Sequence, residues 1–183
     1  MRTLLCALAL GVASTAAAQP SPRAASAEPV PRVEAYFTPG DDVARVIAER
    51  IAAARQSVRV GAYLFTNRTI ASALAKAARR GVAVDLVGDA KQHEAGGFPV
   101  LRTLGRAGVR IWLDDEHAAF HHKVVLVDAG TPAGVVVTGS FNFTQAAQER
   151  NAENIVVISG APELAERFAR DFERHRLQAR RLQ

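Results

Sequence analysis

The sequence predicts one α/β domain, with a mixed and mostly parallel β-sheet that is flanked by helices. Apolar segments rich in β-branched residues alternate along the chain with segments that repeat apolar residues at helical spacing. The chain has 183 residues, a length at which a single domain buries a sizeable core. Two of the strand-like segments are joined by a short turn, which predicts an antiparallel pair and therefore a mixed sheet.

Composition excludes several classes of protein. Apolar residues make up 49% of the chain and charged residues 22%, so disorder is excluded as the main description. The single cysteine, Cys6, excludes a disulfide scaffold because it has no partner within its chain. Lysine and arginine exceed the acidic residues by 23 to 18, and the resulting charge of +5 permits a polyanionic partner without establishing one.

The N-terminus is typical of a secretory signal peptide. Residues 1–18 contain a cationic start, an apolar stretch too short to span a bilayer, and an Ala-x-Ala end that places cleavage after Ala18. Residues 19–32 are rich in Pro, Ser and Ala and predict a flexible leader, so the folded domain is assigned to residues 33–183. We therefore expect a periplasmic or secreted protein without a membrane span in the mature chain; the alternative for residues 1–18 is a buried N-terminal helix.

The first half of the domain is predicted from β-rich and helical segments in turn. The expected strands are Val33–Phe37, Ser57–Phe65 and Val82–Val87. A helix that buries Val43, Val46, Ile47 and Ile51 begins after Asp41 or Asp42, either of which can cap it. A second helix covers Thr69–Arg80, and Gly81 ends it.

The second half continues the alternation. Residues Lys91–Phe98 are polar and predict a loop, and a short helix over Val100–Arg106 follows. The expected strands are Val109–Leu113, His121–Val127, Gly134–Val137 and Asn154–Ile158. The expected helices are Phe143–Arg150 and Pro162–Leu182.

Four polar side chains are expected at the ends of two adjacent strands. Side chains alternate along a strand, so His121 and Lys123 share one face at the start of an apolar segment. Ser140 and Asn142 share a face where the next apolar segment ends. This set of side chains suits a phosphoryl group. Lysine supplies positive charge, and the hydroxyl and amide groups donate hydrogen bonds to the phosphate oxygens. Histidine acts as nucleophile or proton donor.

A carboxylate is expected beside the histidine to hold its tautomer. Glu153, just before the next predicted strand, is the candidate, by analogy with catalytic triads. The other acidic residue near the constellation, Asp128, falls on the opposite strand face from His121, so we expect it to support the structure rather than contact the reacting group.

These residues resemble the HKD motif of the phospholipase D superfamily. The pattern consists of His121-x-Lys123-x4-Asp128, then Gly139-Ser140-x-Asn142, then Glu153-Asn154. Three flanking segments are similar to the small bacterial secreted endonucleases of that superfamily: Ala62–Thr66, Thr138–Thr144 and Asn151–Asn154. The similarity runs from about Tyr36 to the C-terminal helix.

The resemblance implies a mechanism and an assembly. It implies that His121 is the nucleophile, which forms a covalent phosphohistidine, and that Glu153 orients it. The phosphate-binding residues implied by the resemblance are Lys123, Ser140 and Asn142. Asp128, Gly139 and Asn154 complete the motif as supporting residues. No metal and no cofactor are implied. Since the chain has one HKD copy, the second histidine is expected from a second chain, in a homodimer whose active site lies at the two-fold axis.

The expected function is hydrolysis of DNA, with RNA left open, and two other functions compete with it. One is a phospholipase D acting on phosphatidyl lipids, and the other is a nucleic-acid-binding module without catalysis. A different interpretation of the histidines makes His117, His121 and His122 metal ligands, although this segment leads into a strand and carries no obvious carboxylate ligand. One departure from the motif is a longer segment between Asp128 and Gly139, which predicts an extended hairpin loop.

Overall fold

The structure of the protein, a computed structural model, describes residues 30–95 and 99–182. The predicted signal peptide and residues 19–29 of the predicted leader lie outside the described residues. The first strand begins at Arg32, the last residue that the sequence had assigned to the leader.

The described residues form eight strands and six helices. The strands are β1 (Arg32–Thr38), β2 (Ser57–Ala62), β3 (Ala83–Asp89), β4 (Arg110–Asp114), β5 (Lys123–Val127), β6 (Val135–Gly139), β7 (Glu153–Ser159) and β8 (Arg180–Arg181). The helices are α1 (Val43–Ala52), α2 (Arg68–Arg79), α3 (Ala90–Ala95), α4 (Pro99–Arg106), α5 (Gln145–Glu149) and α6 (Pro162–Gln178). Asp42 caps α1 and Asn67 caps α2, each through a side-chain oxygen that accepts a backbone N–H.

All eight strands belong to one sheet in the order β1-β7-β6-β5-β2-β3-β4-β8. The predicted mixed sheet is confirmed, but the expectation that it is mostly parallel is wrong. Only β2–β3 and β3–β4 pair in parallel, and the other five neighbouring pairs are antiparallel. The parallel pairs are those connected by α2 and by the α3–α4 segment, because only a crossover long enough to hold a helix returns the chain in the same direction.

Helices cover the two faces of the sheet unequally. One face packs against α1, α2 and α4 over the larger core, to which β5 contributes Val125 and Val127. The other face packs against α6, and here β5 contributes Val124 and Leu126. The alternation predicted for β5 is therefore observed, with one set of its side chains in each core.

Two predicted segments differ from the structure. Part of the loop expected at Lys91–Phe98 is helical, since α3 runs to Ala95; the carboxylate of Asp89 accepts the backbone N–H of Gln92 at 2.9 Å and so caps it. The C-terminal helix ends at Gln178 instead of Leu182. The chain then pairs with the free edge of β4, which gives Arg180 and Arg181 backbone partners that a longer helix would not supply.

Within residues 30–95 and 99–182, no helix is long and apolar enough to cross a membrane.

Candidate active site

Four strand ends meet at one edge of the sheet and bring the candidate residues together. Ala62, the last residue of β2, pairs with Lys123, the first residue of β5. Gly139, the last residue of β6, pairs with Ile155 near the start of β7. β6 runs antiparallel to both β5 and β7. This edge of the sheet therefore holds the segment before β5, the segment after β6 and the start of β7.

His121 and Lys123 flank one aromatic ring. The ring of His121 packs on the ring of Tyr63 with a centroid distance of 4.5 Å, and the Nζ of Lys123 lies 4.9 Å from the centroid of the same ring. Lys123 also donates a hydrogen bond of 3.1 Å to the backbone oxygen of His121. Strand β5 begins at Lys123 rather than at the predicted His121, so the histidine precedes the strand and its side chain remains exposed.

Lys123 is a buried cation. Only 8% of the residue is exposed, and this burial lowers the pKa of its ammonium from 10.5, while the negative charge of Glu153 acts in the opposite direction. A desolvated lysine carries few competing water contacts. Its positive charge is therefore well suited to a phosphate oxygen arriving from solvent.

Glu153 is held by two side chains of this edge. Its Oε2 accepts a hydrogen bond of 2.6 Å from the hydroxyl of Ser140, and its Oε1 accepts one of 2.8 Å from the amide of Asn151. The backbone N–H of Asn154 donates to the Ser140 hydroxyl at 3.0 Å. Among the described residues, no hydrogen bond joins Glu153 to His121, so its orienting role remains a prediction, while its contacts with Ser140 and its charge near Lys123 are observed.

Asn142 offers a polar group that the fold does not use. Its Oδ1 is buried and has no hydrogen-bond partner among the described residues. Ser140 and Asn142 both follow the end of β6, as the sequence predicted, although the segment that carries them is not a regular strand. Because Oδ1 accepts hydrogen bonds, the contact it lacks is a donor, such as a hydroxyl of a bound molecule, whereas a phosphate oxygen would bind the amide N–H.

Gly139 allows the closest backbone approach of the site. A Cβ at this position would lie 2.2 Å from the backbone oxygen of Asn154 and 2.8 Å from the Cα of Ile155. That oxygen accepts the backbone N–H of Ser140 at 3.0 Å, so the absent side chain lets β7 hold Ser140 in place. Gly139 and Asn154 thus act on the site through backbone geometry.

Asp128 lies at the opposite end of β5 from His121. Its carboxylate accepts three backbone N–H groups, from Arg55, Gln56 and Ser57, at 2.8 to 2.9 Å. Burial by itself raises the pKa of this carboxyl, but the hydrogen bonds outweigh burial and hold the pKa below its ordinary value of 3.8. This arrangement agrees with the structural role expected for Asp128.

Tyr63 is a site residue to which sequence reasoning assigned no role. It belongs to the segment Ala62–Thr66 that carried part of the family resemblance, and this was the available signal. Its place beside both His121 and Lys123 follows from the antiparallel pairing of β2 with β5, in which the backbone N–H of Tyr63 donates to the oxygen of His122 at 2.8 Å.

Among the described residues, no group of potential metal ligands contains His117, His121 and His122 together. His121 contacts Tyr63, His122 packs on Phe120, and His117 lies against Asp114. The carboxylate near His117 belongs to Asp114, the last residue of β4, and so lies outside the segment that carries the three histidines.

The fold and this edge define a class of protein: an α/β domain that carries a histidine, a lysine, a serine and an asparagine together at one edge of its sheet. The family described as "Cardiolipin synthase, PLD-like domain" matches residues 47–176. The chain belongs to the phospholipase D superfamily.

Individual relatives agree with this membership. A protein named phospholipase D from Rickettsia bellii is 37% identical over 141 residues, which cover 77% of this chain and 67% of the relative. A mouse protein named mitochondrial cardiolipin hydrolase is 30% identical over 122 residues, which cover 67% of this chain and 52% of that protein. The crystal structure of a phospholipase D family member, Nuc from Salmonella typhimurium, superimposes with a TM-score of 0.78 at 33% identity and covers 84% of this chain and 99% of that one.

Proposed function

We propose that the protein is a phosphodiesterase that cleaves DNA, and RNA as a further substrate, without sequence preference and without a catalytic metal ion. The observation that carries the proposal is the pairing of an exposed His121 with a buried Lys123 across one aromatic ring. The exposed imidazole is accessible to a phosphodiester, and the desolvated ammonium supplies the charge that a metal ion would otherwise contribute.

The proposed reaction proceeds in two displacements. A ring nitrogen of His121 attacks phosphorus, the bond to the leaving oxygen breaks, and a second histidine donates a proton to that oxygen. The second histidine, now neutral, takes a proton from water, whose oxygen attacks phosphorus and breaks the phosphorus–nitrogen bond. Lys123 and the Asn142 amide N–H bind the nonbridging phosphate oxygens in both steps, and Glu153 keeps Lys123 charged. Ser140 joins them when its single hydroxyl hydrogen turns from Glu153 to the phosphate.

We propose that the second histidine is His121 of a second copy of the chain. The chain contains one HKD sequence, and its His121 side chain is exposed at the edge of the sheet, where another copy has access to it. The two identical histidines then perform opposite proton transfers in one reaction. Export to the periplasm or the exterior, proposed from residues 1–18, would bring the enzyme into contact with nucleic acid from outside the cell.

The test of the chemistry is nicking of supercoiled plasmid in excess EDTA. We expect nicking by the wild type, loss of nicking by His121→Ala, and retention by His117→Ala, which removes a partly exposed histidine outside the site. Absence of nicking by the wild type, or equal nicking by His121→Ala, would contradict the proposed chemistry.

The test of the dimer is inhibition by an inactive copy. If both histidines of one site come from different chains, refolding wild type with an equal amount of His121→Ala leaves about one quarter of the dimers fully wild type. Activity should therefore fall with the square of the wild-type fraction. A linear fall, or full activity of a monomer in light scattering, would contradict the shared site.

A second candidate function is hydrolysis of phosphatidyl lipids. It is favoured by the relatives that bear the names phospholipase D and cardiolipin hydrolase. Release of headgroup from cardiolipin or phosphatidylcholine vesicles, together with intact plasmid, would replace the nuclease proposal by this one.

A further inference from the structure

A second group of ionisable residues lies on the face of the sheet that α6 covers. His117 in the β4–β5 connection, Asp114 at the end of β4 and His175 on α6 each offer a ligand atom, and these atoms all lie within 4.8 Å of one another. None of the three belongs to the HKD set. The group therefore has no role in the chemistry proposed for His121.

Two members of the group are already in contact. The Nδ1 of His117 lies 3.0 Å from both carboxylate oxygens of Asp114. The Asp114 side chain is completely buried, whereas the His117 side chain is 41% exposed. The ring of His175 packs on that of His117 with a centroid distance of 5.0 Å. The group is thus buried on one side and open to solvent at His117, which gives an ion a path of entry.

His175 contributes a nitrogen that the fold does not use. Its side chain is only 8% exposed, and its Nδ1 is buried without a hydrogen-bond partner among the described residues. The other nitrogen, Nε2, lies 3.2 Å from a guanidinium nitrogen of Arg174 and 3.6 Å from a carboxylate oxygen of Asp171. A buried, unpaired imidazole nitrogen costs stability unless something binds it.

The chemistry of the group selects the kind of ion. Two imidazoles and one carboxylate form a ligand set typical of zinc, whereas magnesium and calcium prefer oxygen ligands throughout.

A neighbouring group competes less well. His122, Asp171 and His175 also place ligand atoms within 4.8 Å of one another. The guanidinium of Arg174 already occupies that side, because it is hydrogen-bonded to Asp171 and lies against Nε2 of His175. A fixed cation repels a second one.

We propose that Asp114, His117 and His175 bind one zinc ion per chain, with the unpaired Nδ1 of His175 as its ligand atom and water in the position open to solvent. The ion ties α6 to the β4–β5 connection, four residues before His121. It stabilises the segment that presents the active-site histidine and takes no part in phosphodiester cleavage.

The experiment is calorimetric titration of chelator-stripped, tag-free full-length protein with Zn²⁺, with Mg²⁺ as the comparison ion. We expect saturable binding of one Zn²⁺ per chain, no comparable binding of Mg²⁺, and a higher melting temperature with zinc. His117→Ala removes a partly exposed ligand, so it should remain folded and bind zinc at least about tenfold more weakly. Far-UV circular dichroism checks the fold of His117→Ala. His175→Gln is the second variant, in which the buried ligand is replaced.

Two further variants decide between the ligand sets. His121→Ala should abolish nicking and leave zinc affinity unchanged, whereas His117→Ala should weaken zinc binding. Nicking in EDTA measures the proposed function and zinc affinity measures this site, so either proposal can fail without the other. Absence of saturable zinc binding, unchanged affinity in His117→Ala, or a larger loss in His122→Ala or His121→Ala than in His117→Ala would overturn the assignment.

Discussion

The hydroxyl of Ser140 donates a hydrogen bond of 2.6 Å to Oε2 of Glu153, and this bond joins the end of β6 to the start of β7. The same carboxylate raises the pKa of Lys123 against the effect of burial. Two residues that the sequence assigned to separate tasks, phosphate binding and histidine orientation, therefore act on each other. Their contact links the protonation of the buried lysine to the geometry of the phosphate-binding residues.

Replacing Glu153 by glutamine should move the alkaline limb of the nicking rate to lower pH. Burial lowers the pKa of Lys123 and Glu153 opposes it, so removing the negative charge lowers this pKa further. Lys123 then loses its proton, and with it the charge that binds phosphate, at a lower pH than in the wild type. The measurement is the plasmid-nicking rate of both proteins as a function of pH.

The matched control is Ser140→Ala, which removes the same hydrogen bond but retains the charge of Glu153. Its nicking rate should fall at every pH without a shift of the alkaline limb. A shift equal to that of Glu153→Gln would show that the hydrogen bond, rather than the charge, sets the protonation of Lys123.

Tyr63 should contribute through its ring. Replacement by leucine removes the surface on which His121 packs and the ring that Lys123 approaches to 4.9 Å. We expect nicking to decrease by about 2- to 30-fold, the equivalent of about 0.5–2 kcal/mol of cation–π interaction. Tyr63→Phe retains the ring and should stay close to wild type; a large loss in this variant would instead assign the role to the hydroxyl.

Asp128 should stabilise the fold without acting in catalysis. Asp128→Asn keeps a residue type that tolerates the left-handed backbone at this position, where φ is 47°, but weakens three charge-assisted hydrogen bonds. We expect a loss of about 1–3 kcal/mol in the free energy of unfolding, measured with urea at pH 7. The nicking rate of the folded variant should be unchanged.

The pH dependence of this effect has a defined sign. The folded-state pKa of Asp128 lies below its ordinary value of 3.8, so its contribution is fully present above that value and is lost as pH falls through the folded-state pKa. The difference in stability between wild type and Asp128→Asn should therefore shrink only in strong acid. A difference that disappears already near pH 6 would contradict this origin.

Gly139→Ala should disrupt the edge that carries Ser140. The new Cβ would meet the backbone oxygen of Asn154 at 2.2 Å, and the strands must separate to admit it. We expect a loss of more than about 2 kcal/mol of stability and a loss of nicking. Gly105→Ala in α4 is the control, because the nearest atom to the new Cβ, on the Ile111 side chain, lies 3.9 Å away. Since alanine favours a helix more than glycine does, this variant should be as stable as the wild type or more stable.

The order of elements and the main catalytic candidates could be predicted because they depend on local patterns. The alternation in β5 correctly divided Val125 and Val127 from Val124 and Leu126, since side-chain direction in a strand repeats every two residues. Asp128 is separated from His121 because the two residues lie at opposite ends of β5. The spacing of the HKD residues then identified the superfamily, which the comparisons establish.

Pairing direction could be predicted only for β5 and β6, which a short turn joins in an antiparallel pair. For the other strands the sequence pattern does not distinguish a parallel from an antiparallel neighbour, so the share of parallel pairs in the sheet could not be predicted. The polar composition of the segment that starts at Lys91 favours a loop, yet residues up to Ala95 are helical, and Asp89 caps this short helix. The segment after Gln178 became a strand because β4 had a free edge to pair with.

By itself the sequence determined that this chain forms one mixed α/β domain and carries a histidine and a lysine at the start of one strand, because periodicity and spacing are properties of the chain. Only the tertiary structure decided that the Tyr63 ring contacts both of these side chains, that Glu153 contacts Ser140, and that His175 on α6 meets His117 in the β4–β5 connection. These contacts join residues far apart in sequence, and sheet pairing and helix docking alone bring them within bonding distance.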